Sequence, residues 1–318
     1  MLKEVKPYMS PRDQVALLRR RGMDVDDDAA RQWLTSVGYY RLSGYWYPYR
    51  QQQPGSQARE DQFTVGASLT DVVALYEFDR KLRTLIHDGI ERVEVGVRAA
   101  LAEQLGASGG PLAYTSPTWF RPSWDHAGWL TRGQSRLARA RRNNAAVRHH
   151  FENYNGVPVW VLVGVLDFSD ISMLYDGLLA RDQWAVADTL GITIDLAALS
   201  ANQRRKALKN HPLARWLEQL TIVRNVTAHH SRLWNRSFTP AATAALRTVP
   251  GLNDLPDGQS EDLFGTILMI AKLLEQLSPG STWHNRVQRL VNVDLTAIGG
   301  RHQSEMGFPS DEGNTGGA

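Results

Sequence analysis

The sequence predicts an all-α fold, and three observations predict it. Apolar residues recur at helical spacing through most of the 318 residues. Several of those stretches open on side chains that cap helices. No run alternates apolar and polar residues convincingly, and no internal repeat appears.

The elements follow in order. Ser10-Pro11-Arg12-Asp13 starts a helix that runs to about Arg21, with Ser10 as cap, Pro11 in the first turn and an acid three residues on. A second helix is expected from Asp26-Asp27-Asp28 to about Val37. Gly38 to Arg50 is crowded with aromatics and interrupted by glycine. Aromatics interleaved with arginines suit stacking on single-stranded RNA. A tyrosine-rich corner packed on the helical body is the commoner use of such residues, and is the expectation here. Gln51 to Asp61 reads as a polar loop. Ser68 or Thr70 caps a helix reaching His87, and Gly89 is expected to separate it from another over Ile90 to Leu105. Residues 107–122 are a loop rich in Gly, Ser and Pro.

Ser123 to Asn144 is helical and basic, with Arg132, Arg136, Arg139, Arg141 and Arg142, then Arg148 beyond it. Such a strip is either a solvated face or a track for phosphates, and Arg132, Arg136, Arg139 and Arg142 are the candidate RNA-binding residues. Pro158 to Leu179 is apolar and helical with a break near Ser169. Helices are then expected at Asp182 to Leu190, Asp195 to Ala207 and Leu213 to Trp234. Shorter ones follow at Ala241 to Arg247, Glu261 to Leu277 and Trp283 to Asn292, and the polar, Gly-rich stretch from about Gly299 is expected to be disordered.

Composition excludes several functions. The net charge of +3 is no histone-like polycation, although a pI of about 9.1 leaves room for local basic patches. Cysteine is absent, which excludes disulfides, thiol catalysis and cysteine-ligated zinc. No Gly-rich phosphate loop is present, which argues against an NTP-driven or dinucleotide enzyme. Met1 to Ser10 has no apolar run of signal-peptide type, and the strongest apolar stretch, Val157 to Leu166, is too short to span a bilayer. A soluble cytoplasmic protein that needs no cofactor or metal is expected.

Chemistry concentrates in Arg224-Asn225-Val226-Thr227-Ala228-His229, followed by His230, Arg232 and Arg236. Spacing alone is weak, because Arg121 and His126 repeat it, and Arg205/His211, Arg142/His149 and Arg80/His87 come close. At about 100° per residue, Asn225, His229, Arg232 and Arg236 share one stripe of a helix with Glu218 and Thr221, while Arg224 lies about 100° off it. Glu91 and Glu94 sit three apart on another helix, with Arg98 four beyond Glu94. They either stabilise a helix surface or brace an active-site arginine or histidine.

RNA carries its own nucleophile, the 2′-hydroxyl. Its cleavage needs a base for that proton, an acid for the departing 5′ oxygen, and positive charge for the phosphorane. Histidine serves as either acid or base, and arginine holds the non-bridging oxygens. No metal is required. A single copy supplies one well-placed histidine, so a two-fold dimer would complete the pair.

Several ordered motifs accompany that helix. They are Gly38-Tyr39-Tyr40-Arg41-Leu42-Ser43-Gly44-Tyr45, the stretch from Leu75 to Arg83, the stretch from Ile90 to Arg98, Pro158-Val159-Trp160 with Leu166-Asp167-Phe168-Ser169, and Arg224-Asn225 to His229. In these, residues 5–236 resemble the Abi family of abortive-infection proteins (the AbiD/AbiF-like group), within the broader HEPN class of helical ribonucleases. The resemblance implies a HEPN-like helical bundle with extra N- and C-terminal helices. Together with the elements above, the chain is expected to divide into an N-terminal segment with the tyrosine-rich corner (1–66), a HEPN-like core (67–238), C-terminal helices (239–298) and a disordered tail (299–318), the part after Pro240 lying outside the resemblance. The resemblance also implies a metal-independent endoribonuclease with a composite site in a homodimer, acting in phage defence or as a toxin restrained by an RNA or protein antitoxin. By position, Arg224, Asn225 and His229 take the catalytic roles; Glu91, Glu94, Arg98, Arg232 and Arg236, read from helical spacing, are the supporting candidates. Related chains often carry a glutamate four residues after the equivalent of Trp160, where this chain has Gly164. That glycine either weakens the site or permits close helix packing. With the basic strip, it motivates the alternative of a non-catalytic RNA-binding module. A structural helical interaction protein is a third reading.

Overall fold

A computed structural model of the chain describes residues 4–56 and 58–309. Among them are thirteen α-helices and two short antiparallel two-stranded ladders, so the fold is all-α. None of the helices is long and apolar enough to cross a membrane. The described residues divide into two compact units, one of residues up to 82 with 288–303, the other of 83–287 with 304–309.

In the first unit, α1 (Pro11–Arg20) is capped by Ser10 and α2 (Asp27–Ser36) by Asp26, whose side chains accept from Asp13 N and Ala29 N. The two helices pack together. The aromatic segment folds as α3 (Tyr39–Trp46) and a 3-10 turn. Leu42, Tyr45, Trp46 and Tyr49 are buried, while Tyr40 and Tyr47 remain exposed. The Tyr45 hydroxyl donates to buried Asp79 at 2.6 Å. The segment is therefore mainly a packed corner.

The polar loop expected next is instead a hairpin of β1 (Arg50–Gln52) and β2 (Arg59–Phe63). Its strands lack apolar alternation because polar groups hold it. Arg21 and Arg50 both pair with Asp61, at 2.7 and 3.2 Å, and Arg59 donates to the Arg50 carbonyl.

α4 (Leu69–Gly109) is one helix of 41 residues running through both units. Gly89 does not end it. A Cβ at Gly89 would lie 2.7 Å from Trp283 and 2.8 Å from Ile270, and one at Gly96 would run into Leu277. These glycines are notches for close approach rather than breaks.

The second unit continues through α5 (His126–Ala140), α6 (Ala145–Asn153), α7 (Val159–Leu162), α8 (Phe168–Gly177), α9 (Ala180–Thr189) and α10 (Ala201–Lys209). The apolar stretch breaks at 163–167, just ahead of Ser169, where an Asp167/Asp170 capping box starts α8. α11 (Leu213–Ala228) packs on α8 and on α12 (Leu263–Leu277), burying Leu217, Leu220 and Val223. α13 (Trp283–Arg289) follows, and the Trp283 indole donates to the Leu85 carbonyl at 2.6 Å.

Two further expectations change. Ala241 to Arg247 is not a helix, because β3 (Ala241–Ala242) pairs with β4 (Gln259–Ser260) and only a 3-10 turn follows. The α13 helix gives way to a π-helical turn at Leu290–Leu295. Of the tail expected to be disordered, 299–309 includes a 3-10 turn at Gln303–Met306, and 310–318 lie outside the described residues.

Candidate active site

α11 is anchored along its buried side by hydrogen bonds from polar side chains. Gln219 is fully buried; its amide donates to Thr239 O at 2.8 Å and Ser260 O at 3.0 Å, and its carbonyl accepts from Thr266 at 3.1 Å. The Trp216 indole donates to Ala242 O. At the helix start, His211 N donates to Gln183, and His211 Nδ1 accepts from Leu213 N at 3.2 Å. Trp184 packs edge-on against that ring at 4.7 Å. Burial lowers the His211 pKa to about 4, so the ring is neutral.

The helix ends sooner than expected. His229 is its C-cap, His230 N bonds Thr227 O, and Ser231 N bonds Val226 O. This pair of bonds is a Schellman closure, with His230 at φ +54° in the left-handed position that glycine usually takes. Arg232 and Arg236 therefore lie past the turn and do not extend the Asn225/His229 stripe. Thr221, placed on that stripe, is buried and bonds back to the Glu218 carbonyl.

α4 supplies the acid that meets α11. Glu94 is buried, pairs closely with Arg98, and lies 3.7 Å from Arg224 Nε. Arg98 also donates to the Leu166 carbonyl at 2.9 Å. Two guanidinium groups thus share one carboxylate, which leaves an excess positive charge here. Arg224 is the partner that reaches the surface, its side chain 36% exposed. Its Nη1 lies 3.5 Å from Asn225 Oδ1, so the awkward arginine does lean toward the stripe. Asn225 and His229 are exposed, as is Glu91. Gly164 is also exposed, and a Cβ there would meet only Val161 O at 3.4 Å, so it does not serve close helix packing. Among the described residues no metal-ligand cluster of His, Asp and Glu forms.

Sequence reasoning placed His87 only among chance spacings. In the fold it sits on α4 with Nδ1 3.1 Å from Thr227 Oγ1. That hydroxyl already donates to Arg224 O at 2.8 Å, so it accepts from His87 Nδ1–H. The bond puts a hydrogen on Nδ1 and leaves Nε2 of the exposed ring outside it. The signal was present one heptad before Glu94, on the same face of α4.

The other pairs separate by environment. Arg121 is spent on Asp176 and its carbonyl, and His126 bonds Tyr114 O. Arg205 bonds Asn202 on α10, away from the buried His211. In the basic strip, Arg136 clamps Asp167 and the buried Asp170, and Arg132 lies 3.8 Å from Asp170. Arg139 and Arg142 are exposed.

A family model described as Abi-like protein matches residues 32–235, more than half of the chain. No curated protein and no solved structure matches it.

Proposed function

Because this chain belongs to the Abi-like protein family, we propose that it is a metal-independent endoribonuclease of HEPN type that acts in phage defence or as a restrained toxin. The observation carrying the reading is the shared carboxylate. Glu94 holds a half-buried Arg224 beside Asn225 at the end of the helix that presents His229.

The chemistry runs as an in-line transfer. A base removes the 2′-hydroxyl proton as that oxygen attacks phosphorus. Arg224 binds the non-bridging oxygens and stabilises their growing charge, and Asn225 orients the phosphate. An acid returns a proton to the leaving 5′ oxygen, giving a 2′,3′-cyclic phosphate and a free 5′-hydroxyl. His229 takes one proton-transfer role. In a homodimer, His229 of a second copy takes the other. His87 is the in-chain alternative for that second role.

The test is cleavage of RNA by pure protein in EDTA, wild type against His229→Ala. Equal activity in both removes His229 from the site, and dependence on added divalent metal removes the mechanism. Titrating His229→Ala chains into wild type tests the dimer, because a site that needs His229 from both copies loses activity faster than the wild-type fraction falls. A second reading, RNA binding without turnover, is favoured by Arg224 being tied toward α4 while His229 faces solvent. It predicts salt-sensitive binding and no product.

A further inference from the structure

We propose that the α5–α6 elbow is a separate platform for single-stranded RNA, in which guanidinium groups take phosphates and a cluster of exposed rings takes bases. The inference rests on the ribonuclease reading only for choosing RNA as the ligand.

Residues 126–160 hold six arginines and one carboxylate, Glu152. The fold sorts those arginines. Arg132 and Arg136 turn to the start of α8, as described. Arg139, Arg141, Arg142 and Arg148 stay exposed, and among the described residues none lies within ion-pair distance of a carboxylate. The elbow is also ordered. Asn144 caps α6 by accepting from Val147 N at 3.1 Å, and Arg148 Nη1 reaches back to Arg142 O at 3.3 Å. That bond holds the Arg148 guanidinium at the bend between the two helices.

The rings lie on α6 and at its C-cap. His149, His150 and Tyr154 form a mutually packed trio with centroids 5.2 to 5.6 Å apart. Tyr154 is 60% exposed, which is unusual for a ring that packing alone would recruit. Exposed rings beside free guanidinium groups are what unpaired bases and their phosphates need, whereas a duplex hides its base faces. An anionic lipid surface would be met by a contiguous apolar face. Here the trio has polar edges, and the Arg141 guanidinium covers Phe151 at 5.1 Å.

The experiment measures fluorescence anisotropy of a short, unpaired, labelled oligoribonucleotide across a salt series. The His229→Ala background keeps the probe intact, and thermal melts confirm folding. Arg142→Glu with Arg148→Glu is expected to weaken binding more than about tenfold and to flatten the salt dependence, by about 0.7 in log–log slope for each phosphate no longer neutralised. Tyr154→Ala is expected to weaken binding about fivefold with the slope unchanged. The proposal is overturned by no binding at low salt, by unchanged affinity in both variants, or by equal affinity for a blunt RNA duplex. It is also overturned if the arginine variant loses binding to phosphatidylserine vesicles but keeps its affinity for RNA. Failure of the ribonuclease reading is read elsewhere, as wild-type cleavage that does not depend on His229.

Discussion

α11 carries a histidine at each end, and the two meet opposite conditions. His211 is sealed under Trp184, with its backbone N–H and Nδ1 both engaged and its charge suppressed by burial. His229 stands at the last turn, exposed, beside an exposed amide and an arginine that Glu94 holds in place. Residue type does not separate them, and neither does distance from an arginine. What separates them is access to water and phosphate, and that is set by what each end of the helix packs against.

The largest effect should fall on the exposed end. His229→Ala is expected to lower cleavage by about a thousandfold with an unchanged melting temperature, the scale of losing a proton-transfer group. Loss of fold instead, seen by circular dichroism, would make His229 a second His211.

The buried end should answer to pH. Its folded pKa of about 4 lies below the ordinary 6.5, so the unfolded chain binds the extra proton between those values. Stability is full above about pH 6.5 and falls as pH drops toward 4, by roughly 3 kcal/mol from this group. Urea melts at pH 7 and pH 4.5 measure it, and His211→Gln should flatten the difference. An equal pH dependence in that variant would assign the effect to other groups.

Glu94→Gln tests the coupling between α4 and the exposed end. Cleavage is expected to fall roughly tenfold as Arg224 loses its anchor. An unchanged rate would leave Glu94 a bracket for Arg98 alone. The smallest expected effect is that of His87→Ala, a loss of about threefold through the missing bond to Thr227. A loss above a hundredfold would give His87 the second proton-transfer role and make a single copy sufficient.

Much of the fold is legible in the sequence. The helix starts at Ser10 and Asp26 are local hydrogen-bond patterns, and they appear where the side chains put them. Features that depend on distant residues are not legible. Gly89 reads as a break until Trp283 is known to fill its notch. The end of α11 is hidden because a histidine, not a glycine, takes the left-handed position, so periodicity carries the helix on to Trp234. The β1–β2 hairpin escapes because ion pairs rather than an apolar face hold it. At the site, bracing of an arginine by Glu94 is readable as one of two options from its helical spacing. The partnership of His87 and Thr227 spans 140 residues and is not.

The notches in α4 have a consequence for where this protein can be cut. The region shared with the family ends at 235, yet Leu277 and Trp283 fill the grooves on either side of the helix turn that carries Glu94, and Ser260 and Thr266 satisfy Gln219. The matched segment thus leans on residues that lie beyond it. A chain cut at residue 235 is expected to expose those grooves, orphan a buried amide and melt well below the full chain.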